Sequence, residues 1–307
     1  MIFSETGEVV PGFHVLGNAH TPSYLLEAPR PALFDCGFAF LADAYAAHAR
    51  RVLGGREPEL LFLTHVHFDH CGAAAALREA FPGLRTAASA RAAEILERPR
   101  AVALMASLNE GARALSAAVG VERPSPALFG AFPVDRVLSD GDEVDLGGGI
   151  RVQALATPGH TRDFLSYYVP GRRILVASEA VGCAHRSGRI MVEFVADYEA
   201  YEASLLRLRA LDVEVLCQGH ERVYLGRDAR EFFDRSLDAA RVYRRRVEEL
   251  LEVEGGDASR VVARIKTEEY DPLPEPKQPE AAYLLNTDAR VRLLAARRAA
   301  AGDGGSR

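Results

Sequence analysis

The sequence has no Cys-x-x-Cys pair, and none of its apolar runs is long enough to cross a membrane. A span needs roughly 18 uninterrupted apolar residues, and no stretch reaches that length. The first residues also lack the basic and apolar segments of a secretion signal. These absences predict a soluble protein that is not exported, and we expect it to be cytoplasmic.

The few cysteines are far apart, and their irregular spacing excludes a cysteine-type zinc finger. A reduced, cytosolic setting is the simplest interpretation of this usage. The four residues are Cys36, Cys71, Cys183 and Cys217.

Basic residues are fewer than acidic ones: the sequence has 37 Lys and Arg against 43 Asp and Glu, and its formal net charge is −6. Nucleic-acid binding usually requires a basic surface, so the composition argues against it. We expect a small-molecule ligand and neither a nucleic-acid nor a membrane partner. The chain is 48% hydrophobic and 26% charged over 307 residues, which is typical of a globular protein with a substantial core.

Up to about residue 226, short apolar segments alternate twice with helix-like patterns, in two halves of similar make-up. The runs at 60–64 and 213–217 are continuous and apolar, as expected for strands buried on both faces. This alternation predicts an α+β fold in which two sheets face each other with helices outside.

After residue 226 only helical patterns follow, at 228–251, 257–269 and 281–300, with a proline-rich connector before the last. We therefore divide the chain into a domain of residues 1–226, a helical extension of residues 227–300 and a tail of residues 301–307. The glycine-rich tail is expected to be disordered.

The strongest functional signal is His65-Val-His67-Phe-Asp69-His70, directly after the apolar run at 60–64. In an extended segment, His65 and His67 project to the same side. The chain then turns towards the next predicted helix, so Asp69 and His70 face a neighbouring direction. One short loop can therefore supply ligands to two adjacent metal ions.

Further candidate ligands follow other predicted strands. His160 lies in Thr-Pro-Gly-His, and His220 lies in Gln-Gly-His, where glycine permits a sharp turn. Each is a weak signal alone, because a single loop histidine is usually only solvated. Glu179 could bridge two cations, although a surface glutamate after a strand is an alternative. Asp35 could orient a ligand imidazole, or it could be an ordinary turn aspartate.

The order of these residues resembles the metallo-β-lactamase-fold hydrolase superfamily over about residues 10–225. That resemblance implies an αββα sandwich with two metals at the sheet edges. It also implies the ligand sets, with the first metal held by His65, His67 and His160, the second by Asp69, His70 and His220, and a bridge at Glu179.

A narrower resemblance connects the chain to the quinolone-signal response thioesterase subgroup. It is carried by the phrase THVHFDHCG, the segment ADYEAYEASLLRL, the total length and the helical extension. Membership would imply hydrolysis of an acyl thioester such as 2-aminobenzoylacetyl-CoA, a regulatory protein partner and iron at the metal centre. It would also imply that residues 227–300 cap the active site.

Two positions depart from the family pattern. Ser178-Glu179 stands where the family usually has Gly-Asp, and the extra methylene changes the reach of the carboxylate. Phe164 stands where thioester-hydrolysing glyoxalase II relatives carry a second histidine, which argues against glyoxalase II itself.

The resulting hypothesis is a dinuclear metal-dependent hydrolase of a carbonyl ester, with an acyl thioester as the favoured substrate. Two divalent ions of zinc or iron, or alternatively manganese, suit imidazole and carboxylate ligands. A metal-held hydroxide would attack the carbonyl carbon, and Asp69 would hold the proton as the catalytic residue. A lactone or phosphodiester substrate remains an alternative, as does a regulatory, partner-binding protein that retains the metal fold. A homodimer is also left open.

Overall fold

Two seven-stranded sheets face each other in the computed structural model, and helices cover their outer faces. The predicted α+β sandwich is therefore confirmed. The structure describes residues 1–303 except 115, 118, 119, 186, 187, 275 and 276, and for 301–303 it describes the backbone only.

The first sheet is an antiparallel meander that continues as parallel strands after β5. In spatial order it contains β2 (Gly7–Val10), β3 (Phe13–Leu16), β4 (Ser23–Leu26), β5 (Ala32–Phe34), β6 (Leu60–Phe62), β7 (Arg85–Ser89) and β8 (Arg136–Leu138).

The second sheet is antiparallel except where β12 pairs with β15. In spatial order it contains β1 (Ile2–Phe3), β16 (Val223–Leu225), β15 (Val215–Cys217), β12 (Ile174–Val176), β11 (Leu165–Val169), β10 (Arg151–Ala156) and β9 (Glu143–Asp145). A separate two-stranded ribbon joins β13 (Cys183–Ala184) to β14 (Ile190–Met191).

The core between the sheets is aromatic near the edge that carries the histidine motif. Phe34 and Phe62 stack with ring centroids 5.1 Å apart, and Tyr167 of the opposite sheet lies 5.0 Å from Phe62. The Tyr167 hydroxyl donates to the carbonyl of Leu63 at 2.7 Å. This bond ties the end of β6 to the second sheet, just before the motif begins.

Four helices cover the first sheet: α1 (Ala42–Leu53), α2 (Ala74–Ala80), α3 (Ala90–Leu96) and α4 (Pro99–Arg113). Ser89 caps α3 by accepting a hydrogen bond from the Ala92 amide at 3.1 Å, as its residue type favours. The alanine- and leucine-rich sequence at 101–119 predicts a helix over that whole stretch, but α4 ends at Arg113. Residues 115, 118 and 119 lie outside the described residues.

The remaining helices cover the second sheet and each other: α5 (Tyr198–Arg209), α6 (Arg227–Val253), α7 (Ala258–Ile265) and α8 (Glu280–Asp303). The final helix extends to Asp303, into the segment predicted as tail, and residues 304–307 lie outside the described part. The division of the chain at residue 226 stays a proposal. Within the described residues, no helix combines the length and apolarity that a bilayer crossing requires.

Candidate metal centre

The predicted ligands lie in loops at one edge of the sandwich. Strands β5 and β6 are parallel, and so are β12 and β15, so their carboxyl ends lie at the same edge of each sheet. The motif follows β6 in the first sheet. His160 follows β10, Glu179 follows β12 and His220 follows β15 in the second. Side chains from both sheets therefore converge on one site.

The first cluster contains His65, His67 and His160, whose ligand atoms all lie within 4.8 Å of one another. Nε2 of His160 and Nδ1 of His67 are 3.2 Å apart. Two neutral ring nitrogens at that distance must share either a proton or a cation. His65 and His160 are buried, whereas His67 is only half-buried.

The second cluster contains Asp69, His70 and His220, again with ligand atoms within 4.8 Å. Asp69 Oδ2 lies 3.9 Å from Nε2 of His70 and 3.7 Å from Nε2 of His220. The side chains of Asp69 and His220 are 21% and 27% exposed, whereas His70 is buried. The open side of the site therefore lies at Asp69 and His220.

Glu179 lies between the two clusters and is buried, so it is not the surface glutamate considered from the sequence. Its Oε1 is 2.9 Å from Nε2 of His70 and 3.0 Å from Nε2 of His220. Its Oε2 is 4.0 Å from Nε2 of His65. The carboxylate thus faces histidines of both clusters, which is the placement that a bridging ligand requires.

Asp35 orients His70 and, through Thr64, His65. The Thr64 hydroxyl donates to Asp35 Oδ2 at 2.8 Å, so it accepts from His65 Nδ1 at 3.0 Å. Asp35 Oδ2 also lies 3.1 Å from His70 Nδ1 and accepts a hydrogen bond from it. Because Nδ1 of each ring donates to an outer acceptor, Nε2 is the nitrogen of each ring that is directed to the site and available to a metal ion.

Backbone carbonyls orient two further imidazoles in the same way. His160 Nδ1 donates to the carbonyl of Glu193 at 2.5 Å, and His220 Nδ1 donates to the carbonyl of His20 at 2.8 Å. Four of the five rings therefore have their tautomer set by an outer acceptor, as metal-ligating histidines usually do.

The donor set fits a transition-metal ion. Nε2 of His65 is buried and has no hydrogen-bond partner among the described residues. An unsatisfied buried nitrogen costs free energy unless a ligand satisfies it. Five imidazoles and two carboxylates suit zinc, iron or manganese.

The pKa values of the histidines differ between the two clusters. Burial lowers the pKa of His160 to about 3, and burial also lowers that of His65 well below its usual range. Both rings are therefore neutral near pH 7 and can bind a cation. Burial acts the same way on His220, but the carboxylate of Glu179 outweighs it and raises the pKa of His220 to about 9.

The pKa of Glu179 lies well below its usual range. Burial alone would raise it, but the neighbouring His70 and His220 outweigh burial. The pKa of His70 is raised well above normal, because Glu179 and Asp69 overcome the effect of burial. In the metal-free molecule the second cluster holds protons that a metal ion would displace.

Two loop residues next to the ligands have an unusual backbone conformation. Asp35 and Ser178 have φ values of 51° and 49°, in the left-handed region that is costly for a non-glycine residue. Such strain concentrates at functional sites. The Ser178 hydroxyl donates to Glu179 Oε2 at 2.7 Å, a bond that the glycine common in the family could not make.

Two supporting residues, Asp163 and Arg290, were not identified from the sequence, and a third, Gly219, was noted only for its turn. The Asp163 carboxylate accepts from the Val66 amide at 3.0 Å and so shapes the motif loop. A Cβ at Gly219 would lie 2.1 Å from Glu179 Oε1, so any larger residue there would have to displace that carboxylate. Arg290 of α8 reaches the segment beside His160. Only the glycine had a visible signal, its place directly before His220.

Phe164, at the position of the second glyoxalase II histidine, packs against the first cluster. Its ring stacks on His65 with centroids 4.7 Å apart and meets His160 edge-on at 5.9 Å. An apolar ring therefore supports the imidazoles here and provides no additional ligand.

A cavity of about 280 Å³ lies beside the centre, between the β13–β14 ribbon, α6 and α8. Apolar side chains and tyrosines form much of its wall, including Met191, Val192, Tyr243 and Tyr283. It adjoins the first cluster through Glu193, which lines the cavity and whose carbonyl holds His160.

Comparison with known proteins identifies the family. The family model described as the metallo-beta-lactamase superfamily matches residues 17–220. A hydroxyacylglutathione hydrolase from Ruegeria pomeroyi is 29% identical over 194 residues, covering 61% of this chain and 59% of that protein. Another from Idiomarina loihiensis is 29% identical over 168 residues, covering 53% and 47%. The chain thus spans about half of the length of the curated relatives it matches.

A crystal structure of a metallo-beta-lactamase family protein from Thermus thermophilus has the same fold. It superposes with a TM-score of 0.65 at 20% identity and covers 95% of each chain. The family match includes every residue of both clusters and about two thirds of the sequence. The chain therefore belongs to the metallo-beta-lactamase superfamily.

Proposed function

We propose that this protein is a metal-dependent hydrolase of acyl thioesters with a dinuclear centre. The observation that supports this most directly is the set of inward-facing imidazole nitrogens around Glu179, including the unpartnered Nε2 of His65. We assign the first ion to His65, His67 and His160, the second to Asp69, His70 and His220, and the bridge to Glu179.

Such ions, when bound, supply a water activated near neutral pH and a Lewis acid for the carbonyl oxygen. The protein's own groups provide the geometry. His67, Asp69 and His220 lie on the open side, where the substrate carbonyl would approach. The Asp69 carboxylate can accept and hold the proton of the attacking water, which makes it the proposed catalytic residue.

A thioester suits this arrangement because its leaving group needs little assistance. A Cys-type thiol has a pKa of about 8.5, so the thiolate departs without a strong general acid. The relatives named hydroxyacylglutathione hydrolases support this choice, since their name denotes removal of an acyl group from glutathione. Within this class, we propose membership of the quinolone-signal response thioesterase subgroup.

We assign the cavity beside Glu193 to the acyl group of the substrate. Its wall combines Met191 and Val192 with Tyr243 and Tyr283, which suits an aromatic or medium-length acyl chain. The charged thiol carrier would then remain on the open side.

The proposal is tested with protein reconstituted in turn with zinc, iron and manganese. Thiol release is measured on acyl-CoA and acylglutathione panels, with lactone and phosphodiester panels in parallel. We expect thioester turnover that chelation abolishes and that rises with acyl size up to the cavity limit. Faster turnover of lactones or phosphodiesters would refute the substrate class. Fully metallated protein with no turnover on any panel would favour the partner-binding alternative.

A further inference from the structure

Arg290 is a buried arginine of α8, only 7% exposed, and it contacts the segment next to the metal centre. Its Nη1 donates to the carbonyl of Val192, and its Nη2 donates to the Thr287 hydroxyl at 3.1 Å. Its guanidinium also lies 5.5 Å from the ring centroid of Tyr243. Contacts with Thr287 and Tyr243 therefore fix the Arg290 side chain while its Nη1 donates to a backbone carbonyl.

The next carbonyl along the chain, that of Glu193, orients His160. Glu193 O accepts from His160 Nδ1 at 2.5 Å, one residue after the carbonyl that Arg290 holds. On the other side, the Gly159 carbonyl accepts from the amides of three successive residues at 3.0–3.2 Å, namely Val195, Ala196 and Asp197. The Glu193 carbonyl therefore lies between two anchored points of the chain: Val192, held by Arg290, and residues 195–197, held by the Gly159 carbonyl.

Charge balance alone does not account for this arrangement. The Arg290 guanidinium lies 3.8 Å from the buried Glu193 carboxylate, beyond hydrogen-bond distance. Burying a charged pair carries a large desolvation cost, and well-packed apolar residues are often equally stable. The closer contact of Arg290 is with the Val192 backbone, on the path to His160.

We propose that Arg290 is a positioning residue for the first metal site. By holding the Val192 carbonyl, it places the Glu193 carbonyl that fixes the tautomer and orientation of His160. The inference rests on the proposed metal centre and extends it to the C-terminal helix, far from the motif in sequence. Loss of an outer hydrogen bond to a ligand typically weakens metal binding 10–100-fold.

The test uses Arg290→Lys, Arg290→Met and the double variant Glu193→Gln/Arg290→Met. Lysine retains a charge and a donor. Methionine removes both, and the double variant also removes the carboxylate that would otherwise be buried without a partner. The double variant is charge-neutral, so the test does not depend on the folding of Arg290→Met. Arg292→Met serves as the matched control, because Arg292 is an exposed arginine of the same helix, paired with Asp288.

Zinc affinity of the two sites is measured by chelator competition, and exchange of the His160 Nδ1 proton is followed by NMR. We expect the double variant to bind the first zinc about 10-fold more weakly, with faster proton exchange and an unchanged second site. Arg290→Lys and Arg292→Met should remain near wild type. Wild-type affinity in the double variant would show that Arg290 only balances Glu193, and would overturn the proposal.

His65→Ala separates this test from that of the proposed function. If His65→Ala leaves zinc binding intact, the metal centre itself is wrong. If it abolishes first-site binding while the double variant binds normally, only the role of Arg290 fails.

Discussion

Oε1 of Glu179 lies 3.0 Å from Nε2 of His220, and this contact joins the loop after β12 to the loop after β15. The same oxygen is 2.9 Å from Nε2 of His70, which belongs to the other sheet. A single buried carboxylate therefore balances two imidazoles whose pKa values it raises.

Glu179→Ala should remove more metal from the second site than from the first. The first site keeps three histidines, whereas the second loses the charge that balances His70 and His220. Glu179→Asp should bind metal but hydrolyse thioesters more slowly, by on the order of 10²-fold, because the carboxylate is one methylene short. Elemental analysis and turnover of the three proteins check this.

The double variant Ser178→Gly/Glu179→Asp restores the usual family pair. Glycine removes the left-handed strain at Ser178, about 1 kcal/mol, and frees the loop to bring the shorter carboxylate closer. We expect it to exceed Glu179→Asp in activity. Full metal content and activity in Glu179→Ala would instead show that the carboxylate has no part in the site.

His67→Ala should abolish hydrolysis and lower the thermal midpoint of the metal-loaded protein. Metal present at about 100 times its dissociation constant stabilises the folded state by about 2.7 kcal/mol, and that gain is lost with the ligand. Differential scanning calorimetry with and without zinc measures it.

The matched control is His48→Gln. His48 is not a neutral position, because its Nδ1 accepts from the Gly17 amide at 2.9 Å. Glutamine keeps an acceptor there, so turnover and the zinc-dependent stabilisation should persist. Equal losses in both variants would mean that the motif has no special role.

The metal-free protein should depend on pH through His220. Its pKa rises from about 6.5 in the unfolded chain to about 9 in the folded protein, where Glu179 outweighs burial. Its stabilising contribution is therefore complete below about pH 6.5 and lost as the pH rises through about 9. It amounts to at most about 3 kcal/mol.

Chemical denaturation of the metal-free wild type and of His220→Ala, from about pH 6 to about pH 9.5, measures this contribution. The stability difference should be largest at the acidic end and should shrink with rising pH. Zinc affinity should instead increase as the pH rises, because zinc binding displaces the protons of the second cluster. A difference that grows with pH would contradict the assignment.

Gly219→Ala should displace the carboxylate of Glu179. The added Cβ would lie 2.1 Å from Oε1, so Glu179 must move away from His220. A displacement of this order can reduce the rate by about 10²-fold, while most of the fold is untouched. Gly171→Ala is the matched control, since a Cβ there meets nothing within 4 Å. Turnover and second-site metal content distinguish the two, and equal behaviour would refute the constraint.

Local patterns made much of this centre predictable. The motif residues are close in sequence, and His160, Glu179 and His220 each follow a short apolar strand, so strand ends and residue type located them. Helix α5 is predictable in the same way, because Asp197 is a favoured capping residue and it caps the helix by accepting from the Ala200 amide.

What sequence reasoning missed depends on contacts distant along the chain. Arg290 differs in no visible way from the many other arginines, and its role emerges only because α8 packs beside Val192. Asp163 gains its function by reaching the Val66 amide across the two sheets. The edge strand β1 and its neighbour β16 are very short, so tertiary pairing determines them more than their own sequence pattern does.

Each cluster draws ligands from both sheets: the first sheet supplies the histidine motif, and the second supplies His160, Glu179 and His220. The two proposed ions would therefore act as cross-links between the halves of the sandwich. Neither half alone holds the full ligand set proposed for either ion, so occupancy of the centre would report that the halves have docked. Two fragments separated in the loop between β8 and β9 would accordingly reassemble more tightly with zinc than without it.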